Sequence, residues 1–159
     1  MKQVQKRNFV YYSPEQIDYE LNQTGHFPEN VRGGLAKALA YLPKEIVVYV
    51  IQNRIFLSLG KKTRGEYWSF DDMLLKNKKG FILVNSSLWD EEPIRITFTI
   101  AHEVAHALKN HKITSYNDTD ANGGKKRENE ADTLATKWLK PHFKAEDLKK
   151  LKYKRWQLE

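Results

Sequence analysis

The chain contains no cysteine. This absence excludes disulfide bonds, thiolate nucleophiles and zinc sites with sulfur ligands. Any metal ion must therefore be held by histidine and carboxylate side chains.

Long hydrophobic runs are also missing, since no segment approaches the roughly 18–20 apolar residues that span a bilayer. The first residues, Met1 to Arg7, are charged and lead into no apolar stretch, unlike a secretory signal. We therefore expect a cytoplasmic protein without a membrane segment.

The composition is that of a globular protein, with 40% hydrophobic and 12% aromatic residues in a chain of 159. This length allows one domain with a real hydrophobic core. No linker, internal repeat or low-complexity stretch divides the sequence, which predicts a single domain over residues 1–159.

Basic residues outnumber acidic ones, 27 to 20, which gives a net charge of +7. Such a surface can attract nucleic acid or acidic partners. No motif of a known nucleic-acid module accompanies it, so an ordinary lysine-rich surface is favoured. The basic and aromatic tail at 149–156 can contact phosphates, but a C-terminal amphipathic helix that packs Leu148, Leu151 and Trp156 explains it equally well.

Hydrophobic periodicity predicts helices at the N-terminus, then strands, then long helices. The expected helices cover about residues 13–22 and 29–41, and the chain becomes helical again from about residue 91. The expected strands cover residues 45–51, 54–59, 67–70 (a short edge strand) and 81–85. This order predicts an α+β fold with a short, mostly antiparallel sheet.

Residues 102–106 read His-Glu-Val-Ala-His. Helix positions i and i+4 share one face, so His102 and His106 can both reach one zinc ion at about 2.0–2.1 Å. Glu103 then lies beside the open metal position, where it can take a proton from the bound water and pass it to the leaving amine. Residues 94–108 are apolar around most of the helix, which predicts a central helix whose histidines need a polar partner.

A catalytic zinc usually takes a third protein ligand. Lys112 occupies the place of the third histidine of the longer zinc motif, and His111, one residue early, would point away if the helix continued. In the next helix, the average direction of the apolar residues around the helix axis marks the side that faces the core. Glu128 lies about 50° and Glu130 about 110° from this direction, so Glu128 points inward and Glu130 toward solvent. Asp132, one turn after Glu128, can accept the second ring N–H of a ligand histidine.

Two features near this motif leave alternatives open. Tyr116 and His111 can stabilise a tetrahedral oxyanion, although each is more commonly an ordinary surface residue. His111 directly precedes a polar segment, residues 112–124, and Tyr116 lies within it. We interpret this segment as a flexible loop that lines the cleft. The strand at 81–85 is either an edge strand that pairs with an extended peptide or an ordinary core strand.

Residues 98–108, Phe-Thr-Ile-Ala-His-Glu-Val-Ala-His-Ala-Leu, closely resemble the metal helix of the ImmA/IrrE metallopeptidases. Residues 128–135, followed by Trp-Leu-Lys-Pro at 138–141, are similar to their second signature, a helix that begins with Glu and ends in a leucine-rich stretch and Pro. The likeness covers about residues 80–141, the expected metal-site core. The departures, Ala105 where Gly is common and Trp138 and Lys140 in the last stretch, leave the metal positions intact.

The resemblance implies a zincin-like, specifically gluzincin-like, domain. His102, His106 and Glu128 would hold one catalytic zinc ion, and Glu103 would be the base. The family also implies a bacterial or mobile-element setting and an intracellular regulatory peptidase that cleaves a repressor or other protein.

The main alternative is a zinc-stabilised regulatory or interaction module with little proteolytic activity. A second alternative is a protein that binds nucleic acid through its basic surface. Glu103 argues against a purely structural zinc site, which needs no general base and favours four protein ligands.

Overall fold

The computed structural model describes residues 10–24, 29–59, 65–69, 80–111 and 121–155. Its elements are α1 Pro14–Thr24, α2 Glu29–Leu39, α3 Lys44–Asn53, β1 Ile55–Leu59, β2 Gly65–Ser69, β3 Gly80–Asn85, a short 3-10 helix Ser86–Asp90, α4 Pro93–Lys109, α5 Ala121–Leu139 and α6 Ala145–Arg155. Helices and a small sheet thus occupy separate parts of the chain, which is the α+β arrangement that the sequence predicts.

The N-terminal helices form as the sequence predicts. Ser13 and Gln16 cap α1 reciprocally: the Ser13 hydroxyl accepts from the Gln16 N–H at 3.3 Å, and the Gln16 side chain accepts from the Ser13 N–H at 3.0 Å. Such a capping box satisfies N–H groups that the first helical turn leaves without partners. α1 packs against α2, and α2 packs in turn against α4.

Residues 45–51 form a helix rather than the expected strand. α3 starts after Pro43, whose carbonyl accepts hydrogen bonds from the N–H groups of Ile46 at 2.9 Å and Val47 at 3.1 Å. Val47 and Val50 are buried, three residues apart, as on one face of a helix. The β-branched residues favour a strand only weakly, and the tertiary contact of α3 with α4 outweighs that preference.

The three described strands form a sheet in the order β1-β3-β2. β1 runs parallel to β3, with Ile55 opposite Phe81, and β2 runs antiparallel to β3, with Ser69 opposite Gly80. The sheet is therefore mixed, and the expectation of a mostly antiparallel sheet is wrong. The cause is that β3 inserts between the two strands that precede it in the chain.

β3 is a core strand with a paired neighbour on each side. Ile82 and Val84 are fully or almost fully buried, at 0% and 1% exposed. The interpretation of residues 81–85 as an edge strand that receives a peptide is therefore wrong. The expected edge strand at residues 67–70 corresponds to β2, which lies at one edge of the described sheet and packs against α4.

α4 is the central helix. It begins at Pro93, a residue suited to a first helical position, and every residue from Thr97 to Ala107 is buried. Helix α5 runs along it. The predicted burial of the His-Glu-Val-Ala-His segment is confirmed.

α5 begins at Ala121 and not just before Glu128. The helix thus includes Gly123 and Gly124, which were expected in the connecting loop. Glycine lowers helix stability by only about 1 kcal/mol per residue, so packing along α4 can outweigh it. The rest of that segment, 112–120, lies outside the described residues, and Tyr116 with it.

The expected C-terminal helix is α6, in which Leu148 is fully buried and Leu151 is half-buried. Trp156 lies outside the described residues. Among the described helices, none combines the length and the apolar character needed to cross a membrane.

Candidate metal centre

Helix α4 places two imidazoles side by side. His102 is fully buried and His106 is 9% exposed. One helical turn separates them, so their ring centroids lie 4.5 Å apart and their Nε2 atoms 2.8 Å apart. This is the shared face that the spacing of four residues predicts.

Helix α5 adds a carboxylate to the pair. Glu128 Oε2 lies 3.2 Å from Nε2 of His102, and Glu128 Oε1 lies 3.3 Å from Nε2 of His106. One ligand atom from each of the three residues lies within 4.8 Å of the others. The structure therefore brings together His102, His106 and Glu128 in a group that can hold a metal ion.

The environment of Glu128 favours its ionised form. Burial by itself raises the pKa of this carboxyl, but when the two rings are protonated the hydrogen bonds and charges of His102 and His106 together outweigh burial. The net effect holds the pKa of Glu128 well below its ordinary value. An ionised carboxylate is the form that binds a cation.

Asp132 fixes the proton on His102. Its Oδ1 atom lies 2.8 Å from Nδ1 of His102, and the carboxylate is 4% exposed. A carboxylate accepts, so the Nδ1–H of His102 donates and the Nε2 atom of a neutral ring carries a lone pair.

The donor set fits a metal ion. The Nε2 lone pair of His102 faces a second ring nitrogen at 2.8 Å and a carboxylate oxygen at 3.2 Å. Lone pairs at these distances repel one another unless a cation or a proton lies among them. Two imidazoles and one carboxylate match the three-ligand sets of catalytic zinc sites, which leave a position for water.

Glu103, the expected base, follows His102 on α4 and is 2% exposed. A carboxyl group at such depth needs a polar or charged partner to offset its lost hydration. It is adjacent in sequence to the ligand group, but it is not one of the three residues whose ligand atoms converge.

His111 and Glu130 contact each other beside the metal group, a contact that helical spacing alone does not predict. Helix α4 ends at Lys109, so His111 does not continue it and instead contacts His106, with the two Nδ1 atoms 2.9 Å apart. Glu130 does not simply face solvent, because its Oε2 lies 3.2 Å from Nε2 of His111. Burial and the nearby His106 lower the pKa of His111, and Glu130 opposes part of that effect.

Arg54 supports the end of α4 and was not identified from sequence. It is 2% exposed, and its Nη2 donates to the carbonyl of Ala107 at 2.8 Å. The guanidinium thereby binds the negative end of the helix that carries the histidines. Nothing in the local sequence indicates this contact, because 53 residues separate the two partners.

An open cleft of about 540 Å³ lies beside the C-terminal end of α4. Three lysines give it positive charge, and Glu130 lies on its wall. The lining residues are Lys109, Lys125, Lys126, Asn129, Glu130, Thr133 and Leu134.

A family model described as the IrrE N-terminal-like domain, of the peptidase class, matches residues 54–155. This match covers β1 to α6 and includes every residue of the candidate centre. No curated protein and no solved structure matches the chain significantly.

Proposed function

Because the chain belongs to the ImmA/IrrE peptidase family, we propose that it is a zinc-dependent metallopeptidase that hydrolyses peptide bonds in a protein substrate. One observation carries the proposal: two imidazoles of one buried helix and a carboxylate of the next converge within 4.8 Å, with a buried glutamate adjacent in sequence to the first imidazole. The proposed domain is zincin-like, of the gluzincin type.

In this proposal His102, His106 and Glu128 hold one catalytic zinc ion. A bound zinc ion polarises the scissile carbonyl and lowers the pKa of water. Glu103 takes the proton of the attacking water and delivers it to the amine that leaves. Asp132 keeps the proton of His102 on Nδ1, which directs the Nε2 lone pair toward the ion.

The substrate is proposed to lie in extended form along β2. β2 is an edge strand of the described sheet and packs against α4, whereas β3 already has two neighbours. Backbone hydrogen bonds to an edge strand align a peptide without reading its side chains. Sequence selection then falls to the surrounding surface, where the lysine-lined cleft favours acidic side chains.

We place this activity in the cytoplasm, on a repressor or other regulatory protein, as family membership suggests. A zinc-binding module without proteolysis is less well supported, because the centre offers three protein ligands and a buried Glu103 rather than four ligands. A role in nucleic-acid binding is supported only by the net charge of +7.

The decisive experiment compares Glu103→Gln with the parent and with Glu92→Gln, a control at an exposed position just before α4. Bound zinc is measured by elemental analysis, and cleavage is measured with casein. We expect about one zinc per chain in all three proteins, and cleavage reduced about 10²–10⁴-fold in Glu103→Gln alone.

Equal cleavage by Glu103→Gln and the parent would overturn the assigned mechanism. A parent that holds zinc but cleaves neither casein nor any candidate regulator would support the binding module. Salt-sensitive binding of DNA by that inactive protein would then favour the nucleic-acid role.

A further inference from the structure

His106 has a side-chain partner on the side of its ring that faces away from Glu128. Its Nδ1 atom lies 2.9 Å from Nδ1 of His111, while its Nε2 atom is the one near Glu128. His111 in turn places Nε2 at 3.2 Å from Oε2 of Glu130. Three side chains thus form a row that starts at a candidate ligand and ends at a carboxylate.

The backbone holds His111 in this place. Asn110 adopts the left-handed conformation, with φ 51° and ψ 42°, and ends α4. The N–H of Asn110 then donates to the carbonyl of Ala107 at 3.3 Å, and the N–H of His111 donates to the carbonyl of His106 at 3.1 Å. This pair of bonds is a Schellman motif, which reverses the chain and returns the next side chain to the last helical turn.

Asparagine is the non-glycine residue best suited to this reversal, because its short polar side chain tolerates positive φ. His111 is consequently tied to His106 twice, through a backbone bond and through the ring contact. The two bonds together fix the position of the His111 ring relative to His106.

Only one placement of protons satisfies all contacts of the row when His106 binds a cation. The cation needs the lone pair of His106 Nε2, so the proton of that ring lies on Nδ1 and donates to Nδ1 of His111. His111 then carries its own proton on Nε2, which donates to Glu130. The reverse placement would set a lone pair of His111 against the Glu130 carboxylate.

We propose that His111 and Glu130 are positioning residues that orient His106 and raise its basicity toward the metal ion. The inference rests on the proposed function, since it assumes that His106 binds a metal. Asp132 performs the same task for His102 with a single carboxylate at 2.8 Å. For His106 the carboxylate acts through an interposed imidazole.

Glu128 and Glu130, two residues apart on α5, contact different histidines. Glu128 contacts both imidazoles of the metal group, and Glu130 contacts His111 alone among the described histidines. Glu130 is 41% exposed at the wall of the lysine-lined cleft, whereas His111 is 10% exposed. The row therefore leads from the buried centre to a solvent-accessible carboxylate.

His111 is not a fourth ligand in this arrangement. Its ring approaches the Nδ1 edge of His106, whereas the converging ligand atoms include Nε2 of that ring. The two nitrogens lie on different edges of an imidazole, so His111 lies behind His106 as seen from the metal group.

The test measures the zinc dissociation constant by competition with a chelator for the parent, His111→Ala, Glu130→Ala and the double variant. We expect the constant to rise about 10–100-fold in His111→Ala, the usual effect of losing a hydrogen-bond partner of a metal ligand. We expect the double variant to equal His111→Ala, because Glu130 acts through His111.

His142→Ala is the matched control. His142 lies in the turn after α5 and packs edge-on against the rings of Tyr11 at 4.8 Å and Tyr41 at 5.3 Å. Its replacement removes an exposed imidazole that packs on two aromatic rings but no member of the row, so zinc affinity should not change. Circular dichroism of the metal-free proteins verifies folding, and Glu130→Ala, at a half-exposed site, provides a second variant if His111→Ala fails to fold.

Nitrogen-15 NMR of the zinc-loaded parent reads the protons directly. We expect a proton on Nδ1 of His106 and on Nε2 of His111. Zinc affinities of His111→Ala and Glu130→Ala within about twofold of the His142→Ala value, or a proton on Nδ1 of His111, would overturn the inference while leaving the proposed function intact. A parent that binds no zinc would overturn both.

Discussion

Nδ1 of His102 lies 2.8 Å from Oδ1 of Asp132, and both side chains are buried where α4 packs on α5. This hydrogen bond joins α4 and α5, the two helices that contribute to the metal group, and one of its partners, His102, is itself a member of that group. It also decides which nitrogen of His102 is free to face His106 and Glu128. The helix packing and the chemistry of the centre thus depend on the same contact.

Replacement of Asp132 by Ala should weaken zinc binding. His102 would lose the acceptor that holds its proton on Nδ1, and we expect the zinc dissociation constant to rise about 10–100-fold. Asp147→Ala on α6 is the control, because the Asp147 side chain forms a surface pair with Lys150 at 3.5 Å and lies on a helix that contributes no residue to the metal group. Chelator competition measures both variants, and equal affinities would contradict the role given to Asp132.

Replacement of Glu128 by Gln should weaken zinc binding further than the loss of Asp132. The variant keeps the size of the side chain but loses the ionised oxygens near both Nε2 atoms. We therefore expect the zinc dissociation constant to rise by more than the roughly 10–100-fold expected when a hydrogen-bond partner of a metal ligand is lost. Glu146→Gln, at an exposed position of α6, is the control. A Glu128→Gln protein that still binds one zinc with parental affinity would exclude Glu128 as the third ligand.

The two glycines of α2 should respond to alanine in opposite directions. A Cβ atom at Gly34 would lie 2.8 Å from Cε3 and 2.9 Å from Cζ3 of Trp89, whereas one at Gly33 meets nothing within 4 Å. Gly34→Ala should therefore destabilise the fold by about 1–3 kcal/mol through overpacking against a rigid indole. Gly33→Ala should stabilise it by about 0.5–1 kcal/mol, because alanine favours a helix.

Urea unfolding of the two variants measures this difference in the free energy of unfolding. The pair shares one helix and one substitution, so helix propensity contributes equally to both. A stabilised Gly34→Ala would show that Trp89 does not pack against this face of α2.

Arg54→Met should destabilise the fold more than Arg95→Met. Ala107 would lose the charged donor that contacts its carbonyl in the buried interior, a change worth about 1.5–3 kcal/mol. Arg95 pairs with Glu91 at 3.0 Å at a part-exposed position, and such pairs contribute less than about 1 kcal/mol. Thermal unfolding compares the two, and equal shifts would argue against the anchoring of α4 by Arg54.

Several parts of the fold and the centre followed from local patterns. The spacing of four residues places His102 and His106 on one face, and the apolar residues around them require a buried helix. The same periodicity, applied to the next helix, selected Glu128 over Glu130 as the inward carboxylate, and the structure places Glu128 against both imidazoles. These features depend on the 3.6-residue helical repeat, which a sequence carries directly.

Other features did not follow from local patterns. Residues 45–51 have strand propensity, yet they form α3 because contact with α4 outweighs it. The contact of His111 with His106 depends on the chain reversal at Asn110. An asparagine near the expected helix end was the available signal for that reversal, but it does not say which ring the next side chain meets.

The sequence by itself determined the chemical groups and their order along two helices, because residues within a few positions of one another are placed by the helical repeat. Only the tertiary structure decided that β3 lies between β1 and β2, that Arg54 binds the end of α4, and that Glu130 contacts His111. Those relationships join residues far apart in the chain. They depend on how the helices and strands pack, a property that no local pattern contains.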